Sequence, residues 1–111
     1  MKSLKPYKAG FQKDLVNYLK DPEAAAEYLN AALAGGDQKV LCIALRNVAQ
    51  AHGNMTELAK SCKMSRNNLY HITSKKGNPS LGSILKIIRC LGMNLTFTID
   101  KNKSAKIIHA A

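Results

Sequence analysis

Four side chains that are able to read DNA bases lie at helical spacing in the second half of the sequence: Arg66, Asn67, Tyr70 and His71. Arginine can donate two hydrogen bonds to guanine O6 and N7, and asparagine can pair with adenine N6 and N7. The first residues of a recognition helix normally reach the bases, so Arg66 and Asn67 are the main candidates. Two alternatives remain open, namely that Tyr70 is a partly buried packing residue and that His71 contacts phosphate or only solvent.

A second group of polar residues around this segment is suited to phosphate contacts, which position a protein on DNA without reading its sequence. The group contains Asn54, Thr56, Asn68, Lys75, Lys76 and Asn78. The N–H groups of residues 55–57 begin a short helix, and such groups are able to face a phosphate.

The distribution of charge supports a polyanionic partner. The chain has 17 lysines and arginines against 7 acidic residues, a formal net charge of +10. Residues 58–99 hold seven of the bases and no acid, whereas residues 1–57 are almost balanced. Because solvated surfaces usually mix both signs, we interpret the acid-free stretch as a nucleic-acid footprint.

Two short helices, over 55–62 and 65–72, are predicted to carry these side chains. Ala59 is small enough for two helices to cross closely, and Ser65 is a suitable N-cap for the second helix. Apolar residues at the spacing needed to hold both helices to a core are Leu58, Cys62, Met64, Leu69 and Ile72. The pattern is typical of a helix-turn-helix whose recognition helix is 65–72.

Further helices are predicted on both sides of this pair. An apolar pattern indicates a helix over 11–20, and Asp21-Pro22 begins another that ends at Gly35-Gly36. Asp37 caps a third helix that ends at His52-Gly53, and Ser80 caps a last one that Gly92 stops. We therefore expect a flexible arm over 1–10, a single domain over 11–100 and a tail over 101–111. The domain divides into N-terminal helices (11–34), a DNA-binding core (38–91) and a strand (93–99).

The strand is predicted from a period of two, in which Met93, Leu95, Phe97 and Ile99 alternate with polar residues. A strand needs a partner for its backbone groups. Ile107-Ile108 could fold back as a hairpin, or the strand could pair with the same strand of a second copy, which we favour. The expected fold class is all-α, with five to six helices and one C-terminal strand.

Other features argue against several protein classes. Three cysteines without C-x-x-C spacing favour buried thiols over a disulfide framework or a zinc site. No apolar run reaches the ~20 residues that span a bilayer, and no secretory signal is recognisable, so we expect a cytoplasmic protein. The three histidines are dispersed and no glycine-rich phosphate loop is present. We expect neither an enzyme nor a bound cofactor or metal.

Several motifs resemble the Cro/phage-repressor (XRE-type) helix-turn-helix family, and the resemblance covers residues 11–99. They are Thr56-Glu57-Leu58-Ala59, Met64-Ser65-Arg66, Gly77-Asn78-Pro79-Ser80, Ile84-Leu85-Lys86-Ile87 and Cys90-Leu91-Gly92. Others resemble the addiction module antidote branch, the HigA-like antitoxins: Leu19-Lys20-Asp21-Pro22-Glu23-Ala24, Tyr28-Leu29-Asn30-Ala31-Ala32-Leu33 and Ala44-Leu45-Arg46-Asn47-Val48-Ala49. The fold that the resemblance implies is lambda-repressor-like.

The resemblance implies an antitoxin of a type II toxin–antitoxin module that silences a RelE/HigB-like toxin. It also implies that a homodimer binds double-stranded operator DNA and represses its own operon. Residues 11–34 lie outside the minimal DNA-binding unit, and we expect them to contribute to toxin binding. The alternatives are a phage-type or housekeeping repressor without a toxin, and a protein-binding module that has lost its affinity for DNA.

The chain departs from the family pattern at one position. Lys63 stands in the turn between the two short helices, where glycine is usual. A left-handed conformation costs a non-glycine residue about 1 kcal/mol. We therefore expect strain at Lys63, or a wider turn.

Overall fold

The computed structural model describes residues 9–102, which form six α-helices. The helices are α1 (Ala9–Tyr18), α2 (Pro22–Gly35), α3 (Gln38–His52), α4 (Met55–Ser61), α5 (Arg66–Ile72) and α6 (Leu81–Cys90). All predicted helices are confirmed, with ends that move by a few residues. Helix α1 begins at Ala9, within the segment that was expected to be an arm. The rest of that arm and residues 103–111 lie outside the described part of the chain.

Short polar residues begin the helices at the predicted places. The carboxylates of Asp21 and Asp37 accept hydrogen bonds from the N–H groups of the first turns of α2 and α3, and the hydroxyl of Ser80 does the same for α6. Each bond satisfies a donor that has no partner within its helix. Helix α2 ends where Gly36 adopts a left-handed conformation with φ of 77°.

Helix α3 occupies the centre of the fold, since it packs against α1, α2 and α4. The buried hydrophobic residues of the described part include no phenylalanine or tyrosine, so the core is largely aliphatic. Its least exposed large members are Leu45 of α3, Leu69 of α5 and Ile87 of α6, all at 0% relative exposure. Burying such a side chain contributes about 1.5–3 kcal/mol, so Leu69 fixes α5 firmly to the body of the protein.

A buried polar side chain joins the first three helices. Asn47 of α3 accepts a hydrogen bond at 3.0 Å from the Gln12 amide of α1 and donates one at 2.9 Å to the Tyr28 hydroxyl of α2. Because Asn47 is only 8% exposed, an unpaired amide there would be costly. These bonds therefore help to fix how the N-terminal helices lie against α3.

The predicted strand over 93–99 is not observed, because the part of the chain that the structure describes has no strand. A lone extended segment cannot form a ladder without a second segment beside it. Met93 is half-buried, but Phe97 is 97% and Ile99 75% exposed. The proposed hairpin partner, Ile107-Ile108, lies outside the described residues.

The cysteines are free thiols, as predicted: Cys42 and Cys62 are buried, and Cys90 is half-buried. Burial raises the pKa of the Cys42 thiol. Burial and the adjacent Cys90 thiol raise the pKa of Cys62 to about 12, so Cys62 stays protonated at neutral pH. Among residues 9–102, no helix is long and apolar enough to cross a membrane.

Candidate nucleic-acid interface

Helices α4 and α5 form a compact pair joined by the four residues 62–65. Ala59 of α4 is buried, as expected for a residue at a helix crossing. Leu69 and Ile72 of α5 are also buried. Because residues three apart lie on the same face of a helix, the opposite face of α5 points outwards. The hydroxyl of Ser65 accepts a hydrogen bond from the Asn68 N–H at 3.0 Å, which confirms the predicted N-cap.

The turn between these helices contains Lys63 in a left-handed conformation, with φ of 57°. Lys63 N–H donates to the Lys60 carbonyl at 3.1 Å, and Met64 N–H donates to the Ala59 carbonyl at 3.0 Å. This pair of bonds is the Schellman motif, which normally has glycine at the position of Lys63. The expected strain is therefore present, and the turn remains tight.

The outward face of α5 carries the predicted base-reading residues. Arg66, Asn67 and His71 are exposed, whereas Tyr70 is half-buried. Three of the four predicted side chains are therefore accessible to a macromolecule on one surface of one helix. The placement of Tyr70 favours the packing role that was left open for it.

The Tyr70 ring lies beside two guanidinium groups. The Cζ atom of Arg66 is 5.1 Å from the ring centroid, and that of Arg46 on α3 is 4.8 Å from it. Both distances fall within the range of cation–π attraction. Arg46 also donates hydrogen bonds from Nη2 to the Tyr70 carbonyl at 2.7 Å and from Nε to the Thr73 hydroxyl at 3.1 Å.

The loop after α5 folds back onto the end of that helix. The N–H and hydroxyl of Ser74 both donate to the His71 carbonyl, and Gly77 N–H donates to the Ser74 carbonyl at 3.0 Å. Gly77 is buried, and the turn presents Lys75 and Lys76 as exposed side chains. The two predicted phosphate-binding lysines are therefore held close to the end of α5.

The other predicted phosphate-binding residues are exposed, but the side chains of two of them form hydrogen bonds within the protein. Asn54 Oδ1 accepts hydrogen bonds from the N–H groups of Thr56 and Glu57. Those two N–H groups are therefore occupied, which corrects the expectation that they face a phosphate. Asn78 Oδ1 accepts a hydrogen bond from Gln38 Nε2 at 2.9 Å, which ties its loop to the start of α3. Asn68 lies beside the base-reading candidates on α5.

Sequence reasoning missed Arg46, Gln38 and Thr73 as supports of this surface. Arg46 is half-buried on α3, and Thr73 is fully buried behind α5, where its hydroxyl donates to the Leu69 carbonyl at 2.8 Å. A signal existed for Arg46, because Arg46 and Asn47 are the two polar residues between the apolar stretch 40–45 and the apolar pair Val48 and Ala49. Nothing in the sequence pattern distinguished Gln38 or Thr73.

The surface offers cations and amides and no arrangement suited to a metal ion. Within residues 9–102, no group of three or more histidine, cysteine or acidic side chains is placed to hold one. The exposed bases of α5 and its loop are Arg66, Lys75 and Lys76, and no acid lies between residues 58 and 99. A surface of this composition attracts phosphates and can donate hydrogen bonds to base edges.

Comparison with known proteins gives matches over most of the chain. Residues 10–99 match the model of a family described as probable addiction module antidote protein. An uncharacterized protein of Haemophilus influenzae is 30% identical over 92 residues, which cover 83% of this chain and 92% of the relative. No solved structure matches the chain. The family match extends from α1 past α6 and includes the segment of the predicted strand.

Proposed function

The chain belongs to the family of probable addiction module antidote proteins, and from this premise we propose that it is an antitoxin that also binds operator DNA. Membership implies a toxin partner. For DNA binding, we propose that α4 and α5 form a HigA-like, XRE-type helix-turn-helix. We also propose that the protein represses its own operon. In this proposal the protein acts by binding and not by catalysis. We propose that it does so in the cytoplasm.

One observation carries the DNA-binding proposal: Arg66, Asn67 and His71 are exposed together on a helix fixed to the core by Leu69 and Ile72. A rigid helix that presents arginine and asparagine at its start suits the major groove, where these side chains distinguish base pairs. We assign base contacts to Arg66, Asn67 and His71. Tyr70 acts at the margin of the same surface.

Phosphate contacts are assigned to the residues that flank this helix. Lys75 and Lys76 project from a loop that is hydrogen-bonded to the end of α5. The polar side chains of Asn54, Thr56, Asn68 and Asn78 complete the set. Each contact of a lysine with phosphate releases about one counterion, so affinity for DNA should fall steeply with salt.

We further propose that the protein binds DNA as a homodimer in which residues 93–99 of two copies pair. Within one chain, the described residues supply no ladder partner for this segment, and the Phe97 and Ile99 side chains are left largely in solvent. Antiparallel self-pairing would satisfy the backbone groups, bring these side chains against cross-strand neighbours and give a two-fold axis. A two-fold dimer places two α5 helices at half-sites separated by one helical turn of DNA.

The toxin partner is proposed to be a small RelE/HigB-like protein, and its docking region to include residues 11–34. These residues include most of α1 and of α2, which lie outside the α4–α5 pair. The side chains of Asp14, Glu23 and Glu27 are exposed there, in contrast to the acid-free stretch 58–99. The two partners would therefore use different parts of the surface.

The test of DNA binding is fluorescence anisotropy with the duplex upstream of the chain's own gene and with a scrambled duplex of equal length. The expected result is tighter binding of the upstream duplex and an affinity that falls steeply with salt. Equal, salt-insensitive binding of both duplexes would contradict the proposal and favour a module that binds only protein. A phage-type or housekeeping repressor would bind DNA equally well but lack a toxic neighbour.

A further inference from the structure

Arg46 connects the central helix to the back of α5. Its Nη2 atom donates to the Tyr70 carbonyl at 2.7 Å, and its Nε atom donates to the buried Thr73 hydroxyl at 3.1 Å. Its Cζ atom lies 4.8 Å from the centroid of the Tyr70 ring. One half-buried side chain therefore fixes the backbone at Tyr70 and also lies against the ring of that residue.

These contacts hold the guanidinium of Arg46 in a defined place. Hydrogen bonds from a charged donor are stronger than those between neutral groups. The carbonyl that it binds belongs to the last turn of α5, where the helix dipole favours a cation. Because both of these acceptors are neutral oxygens, neither hydrogen bond neutralises the positive charge of Arg46.

A second guanidinium, that of Arg66, lies over the same ring. The Cζ atom of Arg66, one turn before Tyr70 on α5, lies 5.1 Å from the ring centroid. An exposed arginine side chain loses about 2 kcal/mol of rotamer entropy when it is fixed. Because the Tyr70 ring already holds the guanidinium, Arg66 loses less rotamer entropy when it binds a base. This effect is preorganisation.

We propose that Arg46 is a positioning residue for DNA sequence recognition, because it fixes the Tyr70 ring on which the guanidinium of Arg66 rests. This inference depends on the proposed function, since it requires Arg66 to contact a base. Arg46 itself makes no base contact in this arrangement. Its contribution reaches the DNA through Tyr70 and Arg66.

The first test measures the motion of the Arg66 side chain without DNA. In ¹⁵N-relaxation spectra, the Arg66 Nε–H group should be ordered in the unchanged protein and in Tyr70→Phe, which keeps the ring. It should become mobile in Arg46→Met and in Tyr70→Leu. An Arg66 group of equal mobility in all four proteins would overturn the proposal. This measurement does not depend on whether the protein binds DNA.

The second test is a double-mutant cycle on the ratio of affinities for the upstream duplex and a scrambled duplex. Arg46→Met should lower this ratio about three- to tenfold, the range expected for a cation–π contact of moderate strength. In the background of Arg66→Ala, the same substitution should leave the ratio unchanged, because its effect passes through Arg66. A loss of equal size in both backgrounds would overturn the proposal.

Two controls separate this role from a purely structural one. Arg46→Lys keeps the charge but not the planar guanidinium, so it should lower the ratio while leaving the salt dependence unchanged. Thermal unfolding of each variant shows whether α5 stays folded at the temperature of the assay. If the unchanged protein shows no sequence preference, the proposed function fails, while the relaxation data still decide whether Arg46 orders Arg66.

Discussion

The backbone of Gly77 lies against the end of α5, so that a β-carbon at this position would stand 2.6 Å from the carbonyl oxygen of His71. It would also stand 2.7 Å from the carbonyl oxygen of Ile72. Both neighbours are backbone atoms of a helix whose side chains Leu69 and Ile72 are buried, so they cannot move aside cheaply. The loop that carries Lys75 and Lys76 depends on this close approach.

Gly77→Ala should lower the free energy of unfolding by about 1–3 kcal/mol, because the added methyl group overpacks a site without space. The measurement is urea denaturation followed by circular dichroism. Gly82→Ala is the matched control, since the nearest atom to its β-carbon would be the Ser80 hydroxyl oxygen at an ordinary 3.8 Å. Equal stability of the Gly77 variant and the unchanged protein would contradict the described packing.

Lys63→Gly should raise the free energy of unfolding by about 1 kcal/mol, because glycine adopts the left-handed conformation without strain. Lys63→Ala is the control that removes the charge and keeps the β-carbon. It should not give this gain. The same denaturation experiment compares the three proteins. A gain of equal size in the alanine variant would show that the charge, and not the backbone conformation, is responsible.

Arg66→Ala should weaken specific DNA binding by about 1–3 kcal/mol and relax the preference at one base pair, because the proposed bidentate base contact would be lost. Anisotropy titrations with duplexes that vary one base pair at a time measure this effect. Uniform weakening across all the duplexes would mean that Arg66 contacts phosphate.

Lys76→Ala should lower the affinity for all DNA sequences alike and reduce the slope of log affinity against log salt by about one unit. Lys76 is exposed on the loop after α5 and has no neighbouring acid in the sequence between 58 and 99. Titrations at several salt concentrations give the slope. An unchanged slope would show that Lys76 does not contact a phosphate and would argue against this loop as part of the interface.

Phe97→Asp should convert the proposed dimer into monomers, because a charge would replace a large apolar side chain within the pairing segment 93–99. Sedimentation velocity over a range of concentrations measures the equilibrium. Thr98→Asp is the control, since successive residues of a strand point to opposite faces. Dissociation caused equally by both substitutions, or by neither, would argue against pairing through one face of 93–99.

Local signals in the sequence were sufficient to predict the helices and much of the candidate site. Asp21, Asp37, Ser65 and Ser80 each cap a helix at the predicted place, because capping depends only on neighbouring residues. Such caps need no knowledge of distant contacts. The left-handed conformation of Lys63 was expected from the family resemblance, in which glycine is usual at this position of the turn.

Contacts between distant segments could not be predicted in this way. Arg46 and Tyr70 are separated by 24 positions, and Gln38 and Asn78 by 40. Their pairing follows from how α3 lies against α5 and the loop after it, which the hydrophobic pattern does not specify. The strand prediction relied on period two alone, which identifies a segment able to pair but does not provide its partner.

Growth of cells that express the small reading frame beside this gene, with and without this chain, tests the antitoxin role most directly. The account predicts that the neighbour alone arrests growth and that co-expression of the chain restores it. Arg66→Ala should restore growth equally well, because the proposal assigns toxin binding and DNA binding to different surfaces. If the protein encoded by the neighbouring frame is harmless, or if this chain does not relieve the arrest, the antitoxin role is contradicted. That result would favour the alternative of a repressor without a toxin partner.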